Sequence, residues 1–299
     1  MLVVAGPTGV GKTELAVELC RRHQLHLISA DSRQIYCWLD IGTAKPDRTV
    51  LAQVSVHMVD IVEPNQRYTA ADYARDARAV MRRLTRQNTG FIVAGGSGLY
   101  LKALFQPFFE TPGTDPARRQ QLTNLSAAEL YERLRQVDPD RAAMLHPRDR
   151  QRVMRALEVF ETTGQPMSQL LKQAVPAVEF EPVYVILTRP RAELYRRIDE
   201  RFDEMMKAGL LDEVRRLKEA GFGRDTYVAN AYGYAELLSY IEGELTLEQA
   251  VALAKAKTRA YARRQLTWFR GLKQAHWFEI AGVKETADQL EPLLEDVLD

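Results

Sequence analysis

The sequence predicts an α/β fold, a parallel sheet flanked by helices and interrupted by an all-helical insertion. Three observations favour this class. A glycine-rich loop stands between a short apolar run and a helical pattern. Apolar runs then alternate with helical patterns along most of the chain, which is typical of sheets buried on both faces. Residues 112–176 differ, because their helical patterns are not interleaved with a convincing strand.

The loop is Gly6-Pro7-Thr8-Gly9-Val10-Gly11-Lys12-Thr13, a complete Walker A pattern between the apolar run Leu2–Ala5 and a helix predicted over Glu14–Arg22. Such a strand, loop and helix direct backbone N–H groups and a helix N-terminus at one point, which binds diphosphate or triphosphate oxygens. The predicted phosphate ligands are Gly6, Thr8, Gly9, Gly11, Lys12 and Thr13. Lys12 supplies a charge and the Thr13 hydroxyl a ligand for Mg²⁺. A chance glycine-rich turn is the alternative. Because the loop follows a strand and opens a helix, the sheet is expected to be P-loop NTPase-like.

Further strands are predicted at His26–Ser29, His57–Ile61, Phe91–Ala94 and Tyr184–Leu187, with Trp277–Ile280 as a further candidate. Helical patterns occupy Thr69–Thr85 and Ala192–Leu217. In the second of these helices, apolar residues recur at helical spacing and are expected to face the core rather than a ligand: Leu194, Ile198, Phe202, Met205 and Met206.

The helical insertion is predicted over residues 112–176, so that residues 1–111 and 177–299 form the P-loop core. A turn-rich hinge, Thr111–Pro116, opens the insertion. Within it, Ser126 and Glu129 have the spacing of a capping box, which marks a helix start.

Charge distribution, cysteine content and hydropathy narrow the kinds of protein and partner that the sequence allows. Net charge is +1, but seven basic residues and no acid lie between Lys255 and Lys273. Such segregation points to an anionic partner more than the total charge does. Cys20 and Cys37 are the two cysteines, without a C-x-x-C pair, which excludes a structural zinc site or a disulfide framework. No apolar run reaches transmembrane length, and a cleavable signal would remove the glycine loop. We expect a cytoplasmic protein that does not bind membranes.

Asp31 follows the second predicted strand and is the leading candidate acid. The carboxyl ends of strands form the ligand crevice in doubly wound sheets, so Asp31 should lie beside the glycine loop. Three roles remain open: a magnesium ligand, a general base facing a nucleophile, or a helix-capping or turn aspartate. Asp60 is the other acid at a strand end.

A second glycine cluster, Gly95-Gly96-Ser97-Gly98, follows the strand at Phe91–Ala94. It either lets a substrate approach the backbone and presents the Ser97 hydroxyl, or forms a tight strand-to-helix turn. The loop Asp40–Pro46 brings another lysine, Lys45, towards the crevice.

Two basic segments are candidates for binding nucleic acid. Arg152 and Arg155 share one predicted helical face, and aromatic residues are interleaved with basic ones over Thr258–Arg270. Charge with a stacking surface suits a single strand or loop of RNA. For either helix alone a solvated face is the better explanation, but two such helices on one chain beside a phosphate site favour RNA binding.

Together these motifs resemble the bacterial tRNA dimethylallyltransferases, also called tRNA isopentenyltransferases, in order and spacing over nearly the whole chain. The motifs that carry the resemblance are Gly6–Thr13, Asp31–Tyr36, Asp40–Pro46, Gly95–Tyr100, Arg155–Val159 and Arg263–Phe269. The resemblance implies transfer of a dimethylallyl group from dimethylallyl diphosphate to N6 of the adenosine immediately 3′ of the anticodon, with Mg²⁺ as cofactor. The phosphate loop then stabilises a leaving group, and no phosphoryl group moves.

The resemblance also implies residue roles. The catalytic residues would be Asp31 as base, Ser97 and Arg215, and Lys45 would join the diphosphate site. The implied tRNA contacts are Asp31, Ser32, Arg33, Gln34, Ser97, Arg119, Gln151, Arg152, Arg155, Tyr234 and Arg263. The insertion would bind the anticodon stem-loop, and the enzyme is expected to be monomeric.

The chain departs from the family pattern at Ser97, where threonine is usual, and at Val56, where a second histidine is usual. The region 230–236 has tyrosine where isoleucine is more frequent. Two other functions stay open: a P-loop kinase or ATPase, and an RNA-binding protein without catalysis. The absence of a conventional Walker B acid and the Asp31, Gln34 and Tyr36 set argue against the kinase.

Overall fold

The structure is a computed structural model that describes residues 1–106, 113, 115–173 and 179–298. The chain forms two compact units: an α/β unit of Met1–Phe105 with Phe180–Asp299, and a helical unit of Gln106–Glu179. The sequence predicts an insertion over residues 112–176. The helical unit of the structure begins six residues earlier and ends three residues later. Half of the expected hinge Thr111–Pro116, residues 111, 112 and 114, lies outside the described residues. No helix among the described residues is long and apolar enough to cross a membrane.

Six strands form one sheet within the described residues: β1 (Leu2–Ala5), β2 (His26–Ser29), β3 (Val56–His57), β4 (Phe91–Gly95), β5 (Val183–Thr188) and β6 (His276–Glu279). Their spatial order is β3-β2-β4-β1-β5-β6, and every pairing is parallel. The loops after β1, β2 and β4 therefore meet at one edge of the sheet, which confirms the predicted α/β class.

The helices, in chain order, are α1 (Lys12–His23), α2 (Arg48–Leu51), α3 (Ala70–Arg86), α4 (Gly98–Phe105), α5 (Pro116–Thr123), α6 (Ala127–Val137), α7 (Pro139–Met144), α8 (Arg150–Thr163), α9 (Met167–Gln173), α10 (Arg191–Lys207), α11 (Leu210–Glu219), α12 (Tyr234–Ile241), α13 (Leu247–Phe269) and α14 (Val283–Leu298), with a 3-10 turn at Tyr227–Asn230. Helices α5–α9 belong to the helical unit.

The core of the α/β unit is built from the two faces of the sheet. Leu2 and Val4 of β1 belong to a buried cluster with residues of α1 and α14, which pack against each other. Elsewhere in the unit, α3 packs against α4, and the rings of Tyr73 and Tyr100 stack at 4.2 Å. The Tyr73 hydroxyl donates to the Ser29 carbonyl (3.0 Å), which ties α3 to the end of β2.

The helical unit has its own apolar core, formed by residues of α5–α8 that include Leu130, Leu134 and Leu157. The capping box of Ser126 and Glu129 is present at the start of α6. Asp138 is 1% exposed and accepts backbone N–H groups from Arg141 and Ser168, so it begins α7 and holds α9 to it.

Two predicted elements differ from the structure. The strand expected over His57–Ile61 is β3, Val56–His57, because Met58 (φ 65°) and Asp60 (φ 54°) have left-handed backbones that cannot continue a strand. The helix expected over Ala192–Leu217 is two helices, α10 and α11, because Gly209 (φ 99°) breaks it.

Candidate active site

A cleft opens at the carboxyl edge of the sheet in the α/β unit. Its empty space, counted out to its open mouth, is about 1180 Å³. Four segments supply most of its wall: the phosphate loop (residues 6–13), the segment after β2 (residues 29–46), α10 and α13. The sequence motifs that come from distant parts of the chain therefore meet at one place.

The phosphate loop has the backbone required to present N–H groups. Gly11 is the N-cap of α1 and has φ 109°, a left-handed conformation that glycine adopts without strain. Helix α1 therefore starts at Lys12 with its N-terminus at the loop, and Thr8, Gly9, Lys12 and Thr13 line the cleft. A helix N-terminus with free N–H groups attracts an anion.

Basic side chains hold the loop carbonyls. Pro7 accepts from Lys12 Nζ (2.8 Å), Gly9 from Arg197 Nε (3.0 Å) and Val10 from Arg189 Nε (2.9 Å). These hydrogen bonds engage oxygens whose partial negative charge would otherwise repel a phosphate group. Arg189 and Arg197 were not identified from the sequence, since loop backbone partners have no sequence pattern.

Lys12, Arg33 and Arg201 are the cations that line the cleft, and burial shifts the pKa of two of them. Burial lowers the pKa of Lys12 to about 8, and the nearby Asp31 carboxylate opposes that shift. Burial also lowers the pKa of Arg201. The Arg201 guanidinium has no hydrogen-bond or ion-pair partner among the described residues. A partly buried, unpaired guanidinium beside a phosphate loop is a strong candidate to bind a diphosphate.

Asp31 lies in the cleft with Lys12, as its position after β2 predicts. Its Oδ1 accepts the backbone N–H of Arg33 (2.8 Å), which forms a tight turn after the strand. The turn role and a chemical role are compatible, because a carboxylate has two oxygens and the Asp31 side chain is only half-buried.

Ser97 is 8% exposed and is not among the residues that line the cleft. Its Oγ accepts the backbone N–H of Ser32 (2.9 Å) and donates to Ser32 Oγ (3.2 Å). The structure thus gives Ser97 the task of holding the segment that bears Asp31. The resemblance implied a catalytic role for Ser97, whereas these hydrogen bonds support a structural one.

Gln34 lines the cleft, but its amide is committed to the protein. Its Oε1 accepts from Ser29 Oγ (3.1 Å), and its Nε2 donates to the carbonyls of Thr43 (3.2 Å) and Ala44 (3.1 Å). Gln34 therefore fixes the loop of residues 40–46, and its amide is not free to bind a nucleobase of tRNA. Arg33 lines the cleft beside it.

Lys45 does not line the cleft. Its ammonium is paired with Asp40 (2.6 Å) and with Asp60, and its side chain is 5% exposed. The diphosphate contact expected of Lys45 is corrected accordingly, because two carboxylates already neutralise its charge. Asp60, the alternative strand-end acid, is committed to the same ion pair.

Arg215 also lies away from the cleft. The buried face of α11 contains Glu213 and Val214, so Arg215 points to the other face, where it pairs with Asp212 (2.8 Å) and is 48% exposed. The arginine of α10 that does line the cleft is Arg201. The available sequence signal is that Arg201 lies on α10 among apolar residues whose spacing predicts a core face.

Tyr234 is fully buried, which corrects its expected contact with tRNA. Its hydroxyl donates to Glu213 Oε1 (2.6 Å) and accepts the N–H of Gly42 (3.1 Å). Glu213, itself 4% exposed, also accepts the backbone N–H groups of Asp40 (3.2 Å) and Ile41 (2.9 Å). Tyr234 and Glu213 thus fix the loop after β2 from beneath.

The cleft has an apolar wall next to the cationic loop. Ile198, Phe202 and Met205 of α10 line it, although their spacing predicted core positions alone. Tyr232 and Tyr261 add aromatic surface, with ring centroids 5.3 Å apart. Burial, the largest cause, raises the pKa of Tyr261 to about 12, so its hydroxyl stays protonated. A cationic end joined to an apolar wall suits a hydrophobic diphosphate.

The remaining tRNA candidates lie in the helical unit and on α13. Arg119 (3.1 Å) and Arg155 (3.0 Å) both pair with Glu158, which is 3% exposed. Arg152 is 71% exposed and pairs with Asp149, and Gln151 is exposed. Arg263 is exposed on α13 and does not line the cleft.

Thr13 is the residue that fits a magnesium ion. Its hydroxyl is in the cleft next to Lys12, without a hydrogen-bond partner among the described residues. The described residues contain no group of three or more histidine, cysteine, aspartate or glutamate side chains that could hold a metal. In a Walker A loop the Ser/Thr hydroxyl binds Mg²⁺ together with phosphate oxygens, so Thr13 could hold the ion when a diphosphate is bound.

Comparisons with known proteins identify the family of this chain. The family model described as IPP transferase matches residues 34–272. The chain belongs to the IPP transferase family. A tRNA dimethylallyltransferase of Citrifermentans bemidjiense is 43% identical over 94% of this chain and 92% of its own. One from Thermotoga maritima is 39% identical over 98% and 97%.

Solved structures extend the likeness of this IPP transferase to three dimensions. A tRNA isopentenylpyrophosphate transferase of Bacillus halodurans is 32% identical with a TM-score of 0.74, and the match covers 99% of this chain and 96% of that one. A eukaryotic dimethylallyltransferase acting on tRNA is 24% identical with a TM-score of 0.82, over 99% of this chain and 79% of that one, and supports the fold alone.

Proposed function

We propose that this IPP transferase transfers the dimethylallyl group of dimethylallyl diphosphate to N6 of the adenosine 3′-adjacent to the anticodon in tRNA, and releases diphosphate. The observation that supports it most is the composition of the cleft. The phosphate loop with Lys12, the guanidinium of Arg201, an apolar wall and the carboxylate of Asp31 share that cleft. The names of the most similar relatives, tRNA dimethylallyltransferases, support the same reaction.

The donor would lie with its diphosphate on the phosphate loop and its five-carbon chain along Ile198, Phe202 and Met205. The bond between C1 and the diphosphate oxygen breaks, and its electron pair leaves with the diphosphate. Lys12 and Arg201 stabilise the charge that develops there. Mg²⁺, held by Thr13 and the phosphate oxygens, would add positive charge at the leaving group.

The acceptor amine would approach from the side of Asp31. N6 of adenine forms the new bond to C1 and gives up a proton, which the Asp31 carboxylate accepts. Since a base inside a folded loop is stacked, the adenosine must first turn out of its stack, at a cost of roughly a few kcal/mol. Arg33 lies at the cleft where the backbone of that nucleotide would pass.

The helical unit, including residues 112–176, is proposed to bind the anticodon stem-loop. The support is its exposed Gln151 and Arg152, with Arg119 partly exposed beside a buried glutamate. Arg155 and, on α13, Arg263 are proposed as further phosphate contacts, since phosphate contacts supply most of the affinity for nucleic acids. The proposal places the enzyme in the cytoplasm, as a monomer.

The test incubates the purified protein with Mg²⁺, labelled dimethylallyl diphosphate and tRNA that lacks the modification. We expect label at N6 of the adenosine 3′ of the anticodon. The matched control is the same tRNA with guanosine at that position, which has no N6 amine and should stay unlabelled. A parallel reaction contains ATP in place of the prenyl donor. Rapid ATP turnover without labelled tRNA would contradict the proposal and favour the kinase.

A further inference from the structure

Gln265 of α13 bridges two loops at the cleft. It is 6% exposed, and both ends of its amide are used. Its Oε1 accepts the backbone N–H of Thr8 (2.9 Å), and its Nε2 donates to the carbonyl of Gly96 (2.8 Å). A buried amide with both ends satisfied is rigid, because leaving either backbone partner unpaired costs free energy.

The fit around this amide is close. A Cβ atom added to Gly96 would lie 2.4 Å from Gln265 Nε2. A side chain at position 96 would therefore displace the Gln265 amide from its present place, which accounts for glycine there. Gln265 also lines the cleft, so its position is set at the site itself.

The two loops that Gln265 joins belong to opposite sides of the proposed reaction. Thr8 is part of the phosphate loop, which would hold the donor. Gly96 precedes Ser97, whose Oγ accepts the N–H of Ser32 and whose own N–H donates to the Ala30 carbonyl (3.1 Å). Ala30 and Ser32 flank Asp31, which would accept the proton from the nucleophile.

We propose that Gln265 is a positioning residue that sets the separation between the bound prenyl diphosphate and the acceptor amine. The inference rests on the proposed function. The reason is geometric: reacting atoms must be held about 3–3.5 Å apart, and a displacement of about 1 Å costs about 10²-fold in rate. Without the bridge, the phosphate loop and the Ala30–Ser32 segment each keep their ligand but lose their fixed separation.

The first test replaces Gln265 by methionine, which has a similar length and no amide. We expect Q265M to bind pyrophosphate with Mg²⁺, and separately tRNA, with affinities close to those of the wild-type protein. Its single-turnover rate of prenyl transfer should fall about 10²-fold. The matched control is Q87M, at the exposed C-terminal end of α3, which should leave rate and affinity unchanged.

The second test uses Q265E and does not depend on the behaviour of Q265M. A neutral carboxyl group accepts from Thr8 and donates to Gly96, as the amide does, whereas an ionised one repels the Gly96 carbonyl. Burial raises the pKa of such a carboxyl group. The ratio of the Q265E rate to the wild-type rate should therefore rise as the pH is lowered from about 8 to about 6.

Transfer by Q265M at the wild-type rate would overturn the inference, as would a loss of rate matched by an equal loss of pyrophosphate binding. If Q265M does not fold, a Q265E to wild-type ratio that is flat with pH overturns it. Failure of the wild-type protein itself to label tRNA is a different result, and it rejects the proposed function.

Discussion

At the scale of single residues, the most useful contrast is between Arg201 and Arg215. Arg201 lines the cleft without a partner, and Arg215 is paired with Asp212 on the surface. We expect R201Q to raise the KM for dimethylallyl diphosphate by about 10- to 100-fold, since a charged hydrogen bond contributes about 1.5–3 kcal/mol. R215Q is the control. Steady-state kinetics of both variants shows which arginine binds the diphosphate. A larger increase in KM for R215Q than for R201Q would favour Arg215, as the sequence predicts.

Asp31 can be tested without disturbing the turn it forms. In D31N, Oδ1 still accepts the N–H of Arg33, but the side chain no longer takes a proton. We expect kcat to fall by about 10² or more, with affinity for tRNA mostly intact. Single-turnover labelling together with a tRNA-binding titration measures both. Near-normal turnover would remove Asp31 as the base.

The lowered pKa of Lys12 predicts how diphosphate binding changes with pH. Lys12 is charged below a pH of about 8 and loses its proton above it, so binding of an anion should weaken as the pH rises through about 8. Arginine stays protonated there, and K12R should lack this decline. The comparison is the ratio of pyrophosphate affinities of wild-type and K12R protein across pH, which cancels the ionisation of pyrophosphate. A constant ratio contradicts the assignment.

Sequence reasoning found the residues whose role depends on chain order. The phosphate loop and Asp31 could be predicted because each directly follows a strand, and the carboxyl ends of parallel strands meet. The roles of Arg201, Gln265 and Tyr234 could not be predicted in this way. Their roles depend on which face of a helix turns inward and on what it meets there. A buried tyrosine and a tRNA-binding tyrosine look alike in one sequence.

At the scale of elements, the support beneath the loop of residues 40–42 is open to test. The Tyr234 hydroxyl donates to the buried Glu213 carboxylate. We expect Y234F to lower the free energy of unfolding by about 1–3 kcal/mol, because a buried hydrogen bond to a charged group is lost. Affinity for tRNA should change little. Y240F, on the same helix, should be near neutral. Denaturant unfolding and tRNA titration give the two readouts, and weaker tRNA binding without lost stability would contradict this role.

The element predictions failed where the backbone departs from regular geometry. β1 and β2 were predicted to the residue, since apolar runs bounded by turn residues mark buried strands. The break at Gly209 and the short β3 depend on left-handed residues. These include Met58, whose side chain disfavours that conformation, and Asp60. The packing around them decides their φ, and a single sequence does not reveal it.

At the scale of the whole molecule, charge segregation predicts how tRNA binding depends on salt. R152E removes an exposed cation of α8, and its expected effects are weaker tRNA binding and a salt slope smaller by about 1 or more. R135E is a matched control, because Arg135 is also exposed in the helical unit and paired with an acid three residues earlier. Binding isotherms at several salt concentrations compare the two. Equal slopes for R152E and R135E would count against the α8 contact.

The hydrogen bond from Thr8 to Gln265 joins residues 257 positions apart. During synthesis on the ribosome, the glycine loop leaves the exit tunnel long before the helix that will hold it. The loop therefore lacks its hydrogen bond to Gln265 until nearly the whole polypeptide has been translated. A nascent chain stopped short of α13 has the phosphate-binding motif complete in its sequence and still lacks the Gln265 contact that fixes the loop.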